Sequence, residues 1–349
     1  MWNTLKRWLS SFSSIARQLA LRFTGRPLGR WIEGSFGEPQ RRFLHLPLPQ
    51  SRRHYHLYLP GRYAATKSWP LLVMLHGCKQ DPVTFSSGTR MNQLADQQGF
   101  LVLYPEQRRW ANAYRCWNWF DSSAQRAGGE AALIAGMVRE VTATFAVDPG
   151  RVYIAGLSAG GAMTSIMASC YGDLFAACAV HSGLMYRAAE SVSAATKAMK
   201  QGSRASPENT ASQALAQKDF AFVPAMVIHG SKDDTVNPVN AEQVVEQFIA
   251  MSSLADGANT ALTDVTRSES GGDRYPYETR DYRRGDLLLL RKVLVEGLDH
   301  SWSGGDGAHA FNDPKGPDAS RMIWEFFAGF QRSKQKAPAV VVSGRTNHA

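Results

Sequence analysis

The chain has 349 residues, 44% of them hydrophobic and 20% charged, which is long and apolar enough for one large α/β domain or two smaller ones with a sizeable core. Its net charge of +9 sits at the ends: residues 1–32 hold Lys6, Arg7, Arg17, Arg22, Arg26 and Arg30, residues 332–349 hold Arg332, Lys334, Lys336 and Arg345, neither stretch has an acid, and residues 33–331 therefore carry about −1. A near-neutral globular part excludes nucleic acid as a partner; four cysteines with no C-x-x-C pair, and no H-E-x-x-H, P-loop or G-x-G-x-x-G after a strand, exclude the common zinc, nucleotide and dinucleotide sites.

Residues 2–23 place Trp2, Leu5, Trp8, Leu9, Phe12, Ile15, Leu19 and Phe23 at helical spacing with serines and cations opposite, predicting one basic amphipathic helix. Ser13, Ser14, Arg17 and Arg22 interrupt it too often for a secretory h-region or a membrane span. It reads equally as an anchor on an anionic membrane or polyester granule and as a helix docked on its own domain. Alternation over 43–47 and 55–59 predicts two antiparallel strands; His54 and His56 share one face there and read as ordinary strand side chains rather than a metal pair.

The run Trp69-Pro-Leu-Leu-Val-Met-Leu-His-Gly77 has the continuous apolarity of a central parallel strand and ends in His76-Gly77-Cys78. A helix over 89–98, a strand over 100–104, the aromatic loop Cys116-Trp-Asn-Trp-Phe120 and a helix over 129–145 follow. Next comes Val152-Tyr-Ile-Ala-Gly-Leu-Ser-Ala-Gly-Gly161, leading into a helix. A strand over 176–183, a polar insertion over 187–221 whose local structure the pattern leaves open, a strand over 225–229 and a helix over 240–253 come next. Residues 255–281 read as a long loop or ribbon, 287–295 as a strand and 318–330 as a last helix. Alternating strands and helices of this kind predict an α/β fold with an open, mostly parallel sheet and a site at the carboxyl ends of its strands.

The chemistry centres on Gly156-Leu157-Ser158-Ala159-Gly160, the G-x-S-x-G pattern between a strand and a helix. A serine on so tight a turn adopts strained φ/ψ, and neighbours without a Cβ let the backbone close around it. Two later strand ends deliver Asp233 or Asp234 and then His300, in the chain order Ser, Asp, His that distinguishes α/β-hydrolases from other serine-protease folds. The predicted roles are nucleophile for Ser158, general base and acid for His300, and charge compensation for the carboxylate, with the Ala159 and Cys78 amides as oxyanion donors.

From about Arg52 to Phe330 the chain resembles the esterase/poly(3-hydroxybutyrate) depolymerase family of α/β-hydrolases, related to feruloyl and acetylxylan esterases. The resemblance rests on Leu75-His-Gly-Cys-Lys-Gln80, Gly88-Thr-Arg-Met-Asn-Gln-Leu-Ala-Asp96, Tyr104-Pro-Glu-Gln107, Cys116-Trp-Asn-Trp-Phe120, the Ser158 elbow and His181-Ser-Gly183. It continues through His229-Gly230, Asp233, Val236-Asn-Pro238, His300-Ser-Trp-Ser-Gly-Gly305 and Gly316-Pro-Asp-Ala-Ser320. It implies ester hydrolysis through an acyl-enzyme without metal or organic cofactor, and it selects Asp233 over Asp234.

The expected substrate is poly(3-hydroxybutyrate) or its oligomers, with a feruloyl or acetylxylan ester as the alternative and a non-catalytic surface-binding scaffold as the remote one. Trp117, Trp119 and Trp302 stand in motifs beside the site and read either as an acyl pocket or as core beneath the loops. Cys78 and Cys116, both in family motifs on active-site loops, are expected to form a disulfide; whether Cys170 and Cys178 pair stays open. The disulfide favours an extracellular or periplasmic location, whereas the missing signal peptide and binding module leave a cytoplasmic, granule- or membrane-associated enzyme as the alternative. The expected organisation is a basic N-terminal segment (1–32), a hydrolase domain (33–331) and a flexible basic tail (332–349).

Overall fold

The computed structural model describes residues 29–37, 42–43, 46–47, 52–256, 262–269 and 272–332. The helix expected over 2–23 and the tail beyond Arg332 lie outside the described residues. A ten-stranded sheet forms the centre, in the order β1 (Arg30–Phe36), β4 (Arg53–Leu59), β6 (Leu101–Pro105), β5 (Trp69–Leu75), β7 (Val147–Leu157), β8 (Ala177–His181), β9 (Ala225–Gly230), β12 (Leu287–Val295), β11 (Tyr277–Arg284) and β10 (Thr263–Glu269). The two short strands β2 (Arg42–Phe43) and β3 (Leu46–Pro47) pair only with each other. Neighbours from β6 to β12 run parallel, and the outer strands on both sides are antiparallel.

The unbroken apolarity of β5 has the anticipated cause. Leu71, Val73 and Leu75 belong to one buried layer, while Leu72 and Met74 belong to the other. Five helices cover the first layer: α3 (Gly129–Thr144), α4 (Ala159–Cys170), α5 (Val192–Gln201), α6 (Pro207–Leu215) and α7 (Val239–Asp256). On the opposite face lie α1 (Pro82–Thr89), α2 (Met91–Gln98) and α8 (Ala319–Ala328). In α8, Phe327 stacks on Tyr153 at 4.9 Å and Trp324 on Phe100 at 3.9 Å, so the last helix is clamped to the middle of the sheet. This is the α/β-hydrolase architecture, with helices on both faces.

The structure sharpens several local expectations. The edge strand Arg30–Phe36 starts ahead of the boundary expected at residue 33, and its Trp31 packs its ring against Tyr58 and Tyr104 at 5.5 and 5.4 Å. The helix expected over 89–98 is α2, Met91–Gln98, and a further helix, α1, precedes it across Arg90, which holds φ +55°; Asp81 caps α1 through a capping box with Thr84, and Pro82 fills its first turn. The polar insertion folds as α5 and α6, capped by Ser191 and Ser206, and the 255–281 stretch contributes the ribbon strand β10 and the start of β11. Cys170 and Cys178 are both free and buried, small core residues rather than a second bridge.

Candidate active site

Ser158 joins β7 to α4 at φ +58°, ψ −119°, a left-side backbone that non-glycine residues rarely adopt. Two glycines make the turn possible. A Cβ on Gly156 would sit 2.3 Å from the Gly160 carbonyl oxygen, and one on Gly160 would sit 2.1 Å from that of Leu75. The tight β7–α4 turn needs the first and the close pass of α4 over β5 needs the second, which explains the G-x-S-x-G spacing in terms of contact rather than composition. α4 is buried all round, so the serine stands on a rigid support.

His300 lies in the loop after β12, and Asp233 in the loop after β9. His300 Nε2 is 2.8 Å from Ser158 Oγ, and His300 Nδ1 is 2.7 Å from Asp233 Oδ2. The other carboxylate oxygen, Oδ1, accepts from the Thr235 and Val236 amides at 3.0 and 2.8 Å. Burial by itself would raise the Asp233 carboxyl; hydrogen bonding and electrostatic attraction from His229 and His300 outweigh it and hold the group well below the usual carboxylate range. Asp234 is exposed and offers only its carbonyl, to Lys200, so Asp233 is the residue that meets the imidazole. Serine, imidazole and carboxylate thus form one hydrogen-bonded line able to move a proton off Ser158.

Beside Ser158 runs the turn His76-Gly77-Cys78; a Cβ on Gly77 would lie 3.5 Å from Ser158 Cβ. His76 is buried, and desolvation pushes its imidazole down to about 4, leaving it neutral at pH 7. Its Nε2 accepts from the Gln107 amide at 3.2 Å, which puts the proton on Nδ1, where it is donated to the Gly77 carbonyl at 2.8 Å. In a trans peptide the N–H points opposite the C=O, so the same bond aims the Cys78 amide away from His76. That amide has no partner among the described residues, and the Ala159 amide, at the first position of α4, has none within its helix.

The turn is fastened from outside. Cys78 is bonded to Cys116, as expected. Gln107 donates to the Cys116 carbonyl at 3.0 Å and to Glu130 at 2.6 Å, and Glu130 also accepts from Asn118.

The three tryptophans are core. Trp117 and Trp302 are 1% and 0% exposed; the first gives its Nε1–H to the His76 carbonyl at 3.0 Å, the second to Ser320 Oγ at 3.1 Å. Trp119 is buried as well, edge-on to Phe120. With their faces packed and two of the indole N–H groups spent, they brace the loops rather than line a pocket. Trp302 stacks on His181 at 5.0 Å, and His181, pushed down to about 3 by burial and by the nearby His229 and His300 rings, accepts the Ser303 amide at 3.2 Å. Sequence reasoning gave no role to His76, His181, His229, Gln107 or Glu130. A signal existed for the histidines: the apolar runs of β5, β8 and β9 each reach a histidine at or just past the strand's carboxyl end.

Among the described residues no group of three or more His, Cys, Asp and Glu side chains could hold a metal ion, and no helix is long and apolar enough to cross a membrane. An acetyl xylan esterase from Aspergillus awamori shares the fold with a TM-score of 0.63 at 23% identity, over 79% of this chain and 94% of that one. Poly(3-hydroxyalkanoate) depolymerase C of Paucimonas lemoignei is 38% identical over 237 residues, 66% of this chain; the chain spans about half of that relative's length (54%). Feruloyl esterase B of Neurospora crassa is 30% identical over 262 residues, 72% of this chain and 84% of the relative. The family described as esterase PHB depolymerase matches residues 53–271, around the elbow serine and its aspartate, and the chain belongs to that family.

Proposed function

We propose that this protein is a serine carboxylic ester hydrolase that cleaves poly(3-hydroxybutyrate) or its short oligomers through an acyl-enzyme. The observation that carries the chemistry is the Ser158–His300–Asp233 line at three strand ends. Ser158 Oγ attacks the ester carbonyl as His300 Nε2 takes its proton, and the Cys78 and Ala159 amides receive the oxyanion. His300 returns the proton to the leaving alkoxide, and a water activated by the same imidazole releases the acid. Asp233 stabilises the imidazolium in both halves.

The substrate reading draws on the depolymerase relative and on the surface beside the turn. Tyr114, 66% exposed, accepts the Lys79 amide through its carbonyl at 2.6 Å, and Val83, 56% exposed, opens α1. Such apolar groups suit an extended polyester. The feruloyl esterase, of which the chain spans 84%, supports an aromatic or acetyl ester as the second reading. Rates on p-nitrophenyl butyrate, hydroxybutyrate trimer, polymer particles, methyl ferulate and acetylated xylan separate them: kcat/KM at least tenfold higher on the trimer than on methyl ferulate is expected, and the reverse order overturns the polyester reading. No activity on any ester would sink the enzyme reading in favour of a binding scaffold. The Cys78–Cys116 bond points to an oxidising environment, and we place the enzyme outside the cytoplasm.

A further inference from the structure

A cavity of about 520 Å³ opens between α5, α6 and the segment before α5. Its wall carries Arg187, Lys197 and Arg204 against a single carboxylate, Glu190. Lys197 and Arg204 have no ion-pair partner among the described residues, while Glu190 is already 3.4 Å from Arg187. Part of the floor is apolar, from the buried Ala188 and Ala198. Cations over an apolar floor suit an anion on a short hydrocarbon chain; a volume within the ~300–1,000 Å³ typical of ligand clefts admits several heavy-atom groups.

Arg187 is held in place from beneath. Its backbone, at φ +58°, donates to Gln125 Oε1 at 3.0 Å, and its Nε donates to Tyr186 Oη at 3.0 Å, which in turn donates to the Gln125 carbonyl at 2.8 Å. This leaves Nη2 without a partner among the described residues, on a guanidinium whose side chain is only 20% exposed. A planar fork fixed in this way is pre-organised for a carboxylate.

The cavity is also tied to the catalytic acid. On α5, Lys200 donates to the Asp234 carbonyl, and Met199 accepts the Asn237 amide at 2.7 Å and Asn240 Nδ2 at 3.2 Å. The helix that forms one wall is thereby fastened to the loop that carries Asp233.

We propose that this cavity is a subsite for the free carboxylate end of an oligoester, which would make the enzyme favour short acid-ended chains over blocked ones. The inference rests on the polyester reading for its substrate, and on the cavity's charge for its site. The carboxylate has two sources, the chain end of a substrate and the free hydroxy acid released by the reaction, and the experiments address each.

The kinetic test compares hydroxybutyrate trimer as free acid and as methyl ester, with p-nitrophenyl butyrate as control, for the full chain, its K197Q/R204Q variant and the same variant with R187Q added. Lys197 and Arg204 are exposed, and all three substituted residues lie outside the triad. At low salt the unmodified protein is expected to show kcat/KM about tenfold higher on the free acid, the size of one good charge-assisted contact, and to lose most of that preference at high salt. In the variants the preference should fall, to about twofold or less in the triple one, with the p-nitrophenyl rate unchanged. No preference in the unmodified protein, or one that survives when all three cations are replaced, overturns the proposal. The binding test is calorimetric titration of a Ser158→Ala chain with 3-hydroxybutyrate and with inorganic phosphate. Saturable hydroxybutyrate binding weakened by K197Q/R204Q and abolished when R187Q is added supports the subsite even if the trimer proves a poor substrate, in which case only the polyester reading fails. Absence of binding, or phosphate binding as tightly, rules out a site for carboxylate-ended chains.

Discussion

His300 Nδ1 stands 2.7 Å from Oδ2 of Asp233, whose other oxygen is saturated by the Thr235 and Val236 amides, while His229 Nε2, 3.4 Å from the same Oδ2, is bonded to the Val236 carbonyl at 2.8 Å. The carboxylate cannot rotate away without breaking these bonds, and the tautomer of His300 follows from it. Ser158→Ala and His300→Ala are each expected to lower kcat by ~10³-fold or more with the fold retained, because both groups act in the transition state. Asp233→Asn should be nearly as severe, since an amide leaves the imidazolium uncompensated, while Asp234→Asn should stay within about twofold, as expected of an exposed surface change. Steady-state rates on p-nitrophenyl butyrate, with circular dichroism as a fold check, decide; a milder effect of Asp233→Asn than of Asp234→Asn removes Asp233 from the mechanism.

The His76 imidazole acts on the oxyanion through a peptide it does not share with the substrate. Removing an oxyanion donor outright costs ~10²–10³ in kcat, and letting one swing free should cost less, about tenfold. His76→Asn is therefore expected to lower kcat about tenfold at nearly constant KM, and to weaken a boronate transition-state analogue in parallel. A purely structural role would lower the melting temperature and leave both readouts alone.

The Cys78–Cys116 bond closes a loop with a sequence separation of 38. Loop-closure entropy for such a separation amounts to about 4 kcal/mol at 25 °C, lost on reduction. A Cys78→Ser/Cys116→Ser variant should unfold at lower urea, and its kcat should fall as well, because the Cys78 amide loses its tether. Equal urea midpoints for the oxidised and the doubly substituted protein would show that the hydrogen bonds from Gln107 and Trp117 hold the turn unaided.

Two buried neutral imidazoles set an acid limit on stability. His76 and His181 are pushed down to about 4 and about 3, whereas in the unfolded chain they protonate near pH 6.5. Between those values the unfolded state binds more protons, so stability is full above pH ~6.5 and falls as pH drops toward 4, by about 1.4 kcal/mol per pH unit for each imidazole. Asp233, with its lowered carboxyl, adds a loss only below the ordinary carboxylate range. Urea midpoints that decline steadily from pH 7 to pH 4.5 are expected; half the slope would mean that one ring is charged in the fold, and a flat profile that both are.

The triad was legible because its signals are local. An elbow serine needs glycines two residues away on each side, and strand ends betray themselves by apolar runs that stop at polar residues. What escaped depends on distant partners. The neutrality and tautomer of His76 come from Gln107, 31 residues on, and the burial of Trp302 comes from Phe85 and Ser320. Nothing in the immediate neighbourhood of a tryptophan distinguishes a pocket wall from a brace. Some misses were avoidable: Asp81-Pro82 and Ser206-Pro207 are ordinary helix starts, and they announce α1 and α6. The edge strand Arg30–Phe36 was hidden by its own composition, since Glu33 and Ser35 dilute the alternation of a strand paired on one side only.

That strand decides where the N-terminal segment can be cut. Trp31 covers Tyr58 and Tyr104, and a Cβ on Gly29 would already strike the Tyr58 ring, so the edge strand begins at Arg30 and the packing against it reaches back to Gly29. The apolar spacing of Trp2, Leu5, Trp8, Phe12, Ile15 and Leu19 belongs to residues ahead of it, with five of the six N-terminal cations. Each large side chain left in water costs ~1.5–3 kcal/mol, which favours a covering surface, and the cations favour an anionic one. We propose that these residues locate the enzyme on an anionic membrane or a polyester granule. A chain beginning at Gly29 should keep its kcat on p-nitrophenyl butyrate and its melting temperature, and lose binding to phosphatidylserine vesicles or polymer particles, whereas a chain beginning after Phe36 should be destabilised because β4 loses its edge partner. Retained vesicle and particle binding by the Gly29 chain would end the anchoring proposal, and loss of its soluble-ester activity would assign the segment to the hydrolase domain instead.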